Sequence, residues 1–158
     1  MHLQCRSLLN NTLVFCQIIS VCFMTWKALT LWTNTPYPAM VVITESMAPA
    51  FRPGDILFMS NHDGNVAIGD LPVCWPSGRS YPMVHRVVRV FFANMCRQFI
   101  LTKGDNNLVD DTMLYPDGQE YLHRNEIIGF VRGYVPFLGW FFIILQNPSR
   151  LRDIAMLF

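Results

Sequence analysis

The sequence predicts a mainly β protein, in which a single N-terminal transmembrane helix precedes a small all-β domain. Three observations carry that expectation. Residues 7–26 hold 20 positions without a charge and are rich in Leu, Val, Ile, Phe and Cys. Beyond Pro38 the chain breaks into short β-branched or aromatic runs punctuated by Gly and Pro, the pattern of a small sheet protein. After the first segment there is no long amphipathic helical pattern.

The uncharged segment is long enough for one helix across the hydrocarbon core. Arg6 and Lys27 flank it, so charge does not set its orientation. Trp26, Lys27, Trp32 and Tyr37 form an interfacial belt at its C-terminal end. Asn10, Asn11, Gln17 and Ser20 weaken the span and invite a partner helix. The apolar run exceeds a typical signal-peptide h-region, and Thr33-Asn34-Thr35-Pro36 offers no small-x-small cleavage site. An uncleaved signal-anchor is therefore the expectation.

The following elements are short. Residues 41–43 read as a strand stopped by Pro49 and Pro53. Residues 56–59 form a second, after the Pro53-Gly54 turn, and residues 62–65 form a loop containing Asp-Gly. Residues 71–82 carry Pro72, Pro76, Gly78 and Pro82, giving an irregular connection with at most one short strand. Residues 83–90 alternate and read as one strand opened by His85; residues 99–102 and 127–135 supply two more. Gly129 and Gly133 mark bulge or close-packing points in the last. Residues 137–145 are intensely apolar yet too short to span, and read as lying in the bilayer interface, with Arg150 and Arg152 toward headgroups. The expected division is a tail at 1–6, an anchor at 7–32, a β-rich domain at 33–136 and an apolar segment at 137–158.

Composition narrows the function classes. The 158 residues suit one domain, and 12 basic against 11 acidic residues leave no reason to expect nucleic acid. Hydrophobic residues make up 52% and charged residues 15%, with a positive mean hydropathy; both values ask for a membrane. The five cysteines show no C-x-x-C spacing, so neither a metal site nor a cofactor is expected, and a Cys74–Cys96 disulfide is open. The one permissible sequon, Asn10-Asn11-Thr12, falls within the membrane segment.

Chemistry centres on Ser46, at a strand end in a proline-rich turn. A turn serine is ordinarily structural, and becomes a nucleophile only with a base within reach. His85 and His123 each stand before an arginine, but His123 lies among polar residues, whereas neighbouring strands can fix His85. The loop Gly104-Asp105-Asn106-Asn107 with Asp110-Asp111 concentrates three acids. It is either a solvated turn or the source of a carboxylate that orients the base.

Residues 41–55, Val84-His85-Arg86-Val87, residues 101–107 with Asp110-Asp111, and residues 129–136 together resemble the catalytic subunits of the endoplasmic-reticulum signal peptidase complex, in order, in spacing and in the preceding anchor. The resemblance implies a signal-peptidase-like fold and a membrane-bound serine endopeptidase that removes signal peptides from secretory precursors after small residues. It implies Ser46 as nucleophile and His85 as general base where bacterial and mitochondrial relatives use lysine. Asp111 is favoured as the histidine partner and Asp105 as a supporting acid. The wider family's oxyanion hole points to Thr44. The residues proposed to line the substrate walls are Val41, Val42, Ile43 and Val84, with the peptide docked as an added strand. The implied partners are precursor signal peptides, other subunits of the complex and membrane lipid. The implied location is the endoplasmic-reticulum membrane, single-pass, with the catalytic domain lumenal.

Two departures stand out. Glu45 and Ala48 occupy positions where the family usually has glycine and glutamate, and the chain stops at Phe158 where the family often carries a longer apolar tail. Glu45 is the main support for the alternative, a non-catalytic paralogue that binds precursors or stabilises the complex. A self-cleaving soluble regulator of related fold is disfavoured, because such proteins use a lysine base and lack an anchor.

Overall fold

The computed structural model describes residues 2–62, 64–93 and 97–146. The first element, α1, spans His2–Thr33, so the helix takes in positions 2–6 that the sequence suggested as a tail. Its 32 residues reach about 48 Å, well beyond a hydrocarbon core of about 30 Å. The stretch Arg6–Thr33 is long and apolar enough to cross a membrane and is not buried against the rest of the chain.

Among the described residues eight short strands follow: β1 (Ala39–Val41), β2 (Ile56–Ser60), β3 (Pro72–Cys74), β4 (Met83–Val84), β5 (Arg86–Ala93), β6 (Arg97–Lys103), β7 (Leu122–His123) and β8 (Ile127–Val135). They form a five-stranded sheet in the order β1-β2-β8-β3-β4 and a three-stranded sheet in the order β5-β6-β7. All observed pairings are antiparallel. The mainly β architecture behind an apolar helix is the one the sequence implied.

Two local expectations need correction. The strand placed at 41–43 lies earlier, at Ala39–Val41, because pairing with β2 begins as soon as the chain clears Pro38. Val42 continues the ladder only as part of a turn, exchanging hydrogen bonds with Asp55 and Gly54. The single strand expected over 83–90 is two strands in different sheets, with His85 at the break. The alternating valines are extended chain, but alternation is blind to a change of partner. At this corner β4 pairs with β3, whereas β5 pairs with β6. The chain crosses between sheets again through the 3-10 turn Arg124–Glu126, which joins β7 to β8.

The principal core fills the space between the sheets. Val66, Cys74, Val87, Ile100, Leu101, Tyr115, Leu122, Ile127 and Phe130 are buried there, and burying each large side chain contributes about 1.5–3 kcal/mol. A smaller cluster of Val42, Met47, Phe51 and Leu57, with Val84 and Val131 against it, sits beneath the segment after β1. Cys74 is buried, and burial pushes its thiol pKa far up. Cys96, its suggested disulfide partner, lies outside the described residues, as do Asp63, Arg150 and Arg152. Gly133 lies beside a register shift in the β2–β8 ladder and Gly129 beside another in β3–β8, where a side chain on Gly129 would meet Met59.

The C-terminal segment docks on the turn before β2. Trp140 starts a short helix, α2 (Trp140–Gln146), and is buried against Gly54, while Phe137, Leu138, Phe141, Phe142 and Leu145 are exposed. Gly54 adopts φ +92, and a Cβ there would lie 2.2 Å from the Trp140 ring. Its carbonyl accepts the Gly139 N–H at 2.8 Å. Buried Asp55 completes the clamp, accepting from Arg52 N–H at 2.9 Å and from Phe137 N–H at 3.2 Å.

This contact gives a stability prediction. Gly54→Ala combines a left-handed backbone penalty with overpacking and should cost roughly 2–4 kcal/mol, read as a lowered melting temperature of the detergent-solubilised protein. In a Trp140→Ala background the same change should cost at least about 1 kcal/mol less; equal costs in both backgrounds would show that the ring is not the obstacle.

Candidate active site

Ser46 is placed by the backbone on both sides of it. Ala48 N–H bonds back to the Glu45 carbonyl, and Phe51 N–H to the Met47 carbonyl, so the chain coils tightly after β1. Met47 is 0% exposed and plugs the smaller core, which pins the backbone next to the serine. From the other side, Asn106 N–H donates to the Ser46 carbonyl at 2.9 Å and Asn106 Nδ2 to the Glu45 carbonyl at 3.2 Å. That close approach requires Gly104, where a Cβ would lie 2.7 Å from the Ser46 carbonyl oxygen and 2.6 Å from Asn107 Nδ2.

His85 occupies the corner between β4 and β5 and is 5% exposed. Its Nε2 lies 3.0 Å from Ser46 Oγ and its Nδ1 2.6 Å from Asp111 Oδ2. Asp111 opens the 3-10 turn Asp111–Leu114 and is 0% exposed. An ionised carboxylate only accepts. The short contact therefore fixes the proton on Nδ1, leaving the Nε2 lone pair facing the serine hydroxyl. Serine, histidine and carboxylate thus form a continuous hydrogen-bonded line, in which the serine O–H donates to a neutral imidazole.

The three loop acids, left unranked by the sequence beyond a preference for Asp111, occupy three distinct environments. Asp111 turns inward to His85. Asp110 caps the 3-10 turn, accepting from Thr112 N–H and from the Thr112 hydroxyl at 2.7 Å, and these bonds lower its pKa. Asp105 makes a two-pronged pair with Arg86, at 2.9 Å from Nε and 2.7 Å from Nη2. The guanidinium holds its carboxyl below the usual range and raises the Arg86 pKa in return. The hydrogen bonds of the Asp105 carboxylate go to Arg86 and to neither Ser46 nor His85. Asp105 ties the residue after His85 to the loop that braces Ser46.

Thr44 Oγ1 lies 3.4 Å from Ser46 Oγ, on the serine's side of the line. Glu45 is exposed, so its carboxylate points to solvent while its carbonyl serves the Asn106 contact. Of the residues proposed for the substrate walls, Val41 and Val84 are half-buried and Ile43 is exposed, but Val42 packs into the smaller core beside Met47. Its side chain supports a wall instead of forming one, because the turn after Val41 rotates it inward. β1 and β4, which lead to Ser46 and His85, are the two edges of the larger sheet.

Sequence reasoning missed the groups behind Asp111. Thr102 is 0% exposed and its hydroxyl donates to Asp111 Oδ2 at 2.6 Å. Tyr115 Oη stands 3.0 Å from both the Thr102 hydroxyl and the Thr102 N–H. The available signal was a lone hydroxyl residue closing the apolar run at 99–102, which reads equally well as an ordinary strand threonine.

No family model matches the chain. Curated relatives do match it over almost its whole length. It is 41% identical over 155 residues to a signal peptidase complex catalytic subunit sec11 of Pyrenophora tritici-repentis, covering 98% of this chain and 90% of the relative. It is 42% identical over 163 residues to the SEC11 subunit of Ajellomyces capsulatus, covering 96% and 87%. Against the Aspergillus terreus sec11 subunit it is 39% identical over 167 residues, with 96% and 87% covered. Such identity across anchor and β domain alike places the chain in the family of signal peptidase complex catalytic subunits.

Proposed function

We propose that the chain is a membrane-anchored serine endopeptidase that removes N-terminal signal peptides from secretory precursors after small residues. The observation that carries this reading is the alignment of Ser46, His85 and Asp111, at 3.0 Å and 2.6 Å. His85 Nε2 takes the Ser46 proton as Oγ attacks the scissile carbonyl, and Asp111 stabilises the imidazolium so formed. The imidazolium then gives that proton to the leaving amine. A water, deprotonated by the same nitrogen, hydrolyses the acyl-enzyme. Ser46 N–H and the Thr44 hydroxyl are the proposed donors to the developing oxyanion.

The substrate peptide is proposed to add as a strand along the exposed edges of β1 and β4, between Ile43 and Val84. Shallow apolar walls there would admit small side chains and exclude large ones. The proposed setting is the endoplasmic-reticulum membrane, with α1 as the single span and the β domain in the lumen. The α2 face bearing Phe141, Phe142 and Leu145 is proposed to rest in the lipid interface. Asn10, Asn11 and Gln17, exposed on α1, favour association with other subunits of the complex. No observation favours a non-catalytic paralogue, since Glu45 is turned to solvent and the line of catalytic groups is whole.

Ser46→Ala and His85→Ala should each abolish precursor cleavage by the purified complex, with about 10²–10⁴-fold attributable to the base, while membrane extraction and melting behaviour stay as in wild type. Undiminished cleavage by Ser46→Ala would refute the reading. The wild-type profile should lose activity on the acid side in a one-proton limb, because protonated imidazole cannot accept the serine proton; a flat profile down to roughly pH 4 would exclude a histidine base. Gly104→Ala should lower kcat about 100-fold with little change in melting temperature, by pushing the Ser46 carbonyl away and displacing its hydroxyl. Wild-type kcat in that variant would show that the loop yields without moving the serine.

A further inference from the structure

We propose that Thr102 and Tyr115 are positioning residues of the cleavage reaction, forming a relay that fixes the charge and orientation of Asp111 from behind. This deepens the proposed serine-histidine mechanism and rests on it. The geometry allows one assignment of protons. Asp111 Oδ2 accepts from His85 Nδ1–H and from the Thr102 hydroxyl, both at 2.6 Å. The Thr102 hydroxyl has then spent its only proton, so at 3.0 Å it accepts from Tyr115 O–H. Tyr115 Oη in turn accepts the Thr102 backbone N–H at 3.0 Å. Every donor in the chain points toward Asp111, and each hydrogen bond polarises the next.

Location strengthens the case. Thr102 lies at the end of β6 opposite Val87, where the β5–β6 ladder shifts register between Val87 and Arg89. Such a bulge re-aims side chains beside a site. Thr102 is 0% exposed and Tyr115 is buried, so water does not compete for these bonds. A strand merely filling the core would place an apolar side chain at 102, as at Ile100 and Leu101. Instead a hydroxyl is buried there, and it is aimed at the carboxylate that holds the base.

The relay should be visible in the pH dependence, because it supports the negative charge of Asp111. Without the Thr102 hydroxyl the buried carboxylate loses one donor, and the His85–Asp111 pair holds its next proton more tightly. The acid limb of activity then moves to higher pH. The ionisable groups beside the pair include Cys74 on β3, Tyr115, Asp105 with Arg86, and Asp110, whose bonds from Thr112 lower its pKa. Burial pushes the Cys74 thiol up, and it pushes the Tyr115 phenol up to about 12, while Arg86 holds Asp105 below the usual carboxylate range. None of them titrates where an imidazole does, so the limb reports the pair.

The test is kcat/KM for cleavage of a signal-peptide precursor against pH. It uses the full-length chain purified with its membrane partners, as wild type, Thr102→Val, Thr102→Ser, Tyr115→Phe and Ser46→Ala. Thr102→Val should move the acid limb up by about one pH unit and lower plateau kcat about tenfold at unchanged KM, the effect of losing one hydrogen bond to a charged group. Thr102→Ser should restore both, and Tyr115→Phe should give a smaller shift in the same direction. An unshifted limb in Thr102→Val, with Ser46→Ala inactive, overturns the relay and leaves the nucleophile assignment standing. Cleavage surviving in Ser46→Ala overturns both. If Thr102→Val does not accumulate, Tyr115→Phe decides, and a wild-type profile in that variant overturns the relay.

Discussion

The arrangement of this protein depends on holding one carboxylate out of contact with water. Asp111 is 0% exposed, and the penalty for burying a charge remains several kcal/mol after relaxation. That cost is tolerable only where directed donors converge on the group. Here they come from two places far apart in sequence, His85 at the corner between sheets and Thr102 in β6. The two sheets must therefore meet with little freedom. The buried set from Val66 to Phe130 fixes their separation, and Thr102, beside the bulge at Val87, meets the same oxygen as His85. Packing energy of the ordinary hydrophobic kind is what holds an electrostatic arrangement that would not form by itself.

The corner at His85 follows from the same constraint. Ser46 follows β1 of one sheet and Asp111 follows β6 of the other, and His85 stands at the break between β4 and β5, where the chain passes between the two. Splitting the extended run into β4 and β5 gives the ring access to both sides. Arg86, directly after the corner, is tied to Asp105, and the same loop supplies Asn106 to the Ser46 backbone. The chain segments that carry Ser46 and His85 are thus braced through one loop, which explains why that loop is crowded with Asp and Asn and why it opens on a glycine.

Much of this was legible in the sequence, and the boundary has physical causes. The long uncharged run matches α1 and the apolar run at 127–135 matches β8, because each pattern runs unbroken along one continuous element. Ser46, His85 and Asp111 were legible through the resemblance of four blocks in register, not through spacing, which left His123 and two other acids open. The sheet switch at His85 was not legible, since alternation records which face a residue takes and not which strand lies beside it. Thr102 and Tyr115 were invisible for a similar reason. A buried hydroxyl announces itself only through its partners, and those partners lie 9 and 13 residues away. The docking of Trp140 on Gly54 likewise needs three dimensions, since Pro53-Gly54 reads only as a turn.

Glu45 shows how magnitude settles a question that pattern leaves open. A carboxylate beside a nucleophile looks hostile to an oxyanion. Its side chain is exposed, however, and the part of the residue that the site uses is its carbonyl, which any residue supplies. Two unit charges even as close as about 4 Å in bulk water repel by only about 1 kcal/mol, and salt reduces this further. One well-placed oxyanion donor is worth about 2.7–4 kcal/mol. The repulsion therefore slows the reaction by less than about fivefold and leaves the balance with the donors. What the site requires at this position is a backbone that coils into Ser46 and accepts Asn106, and the glutamate provides both while its charge stays in solvent.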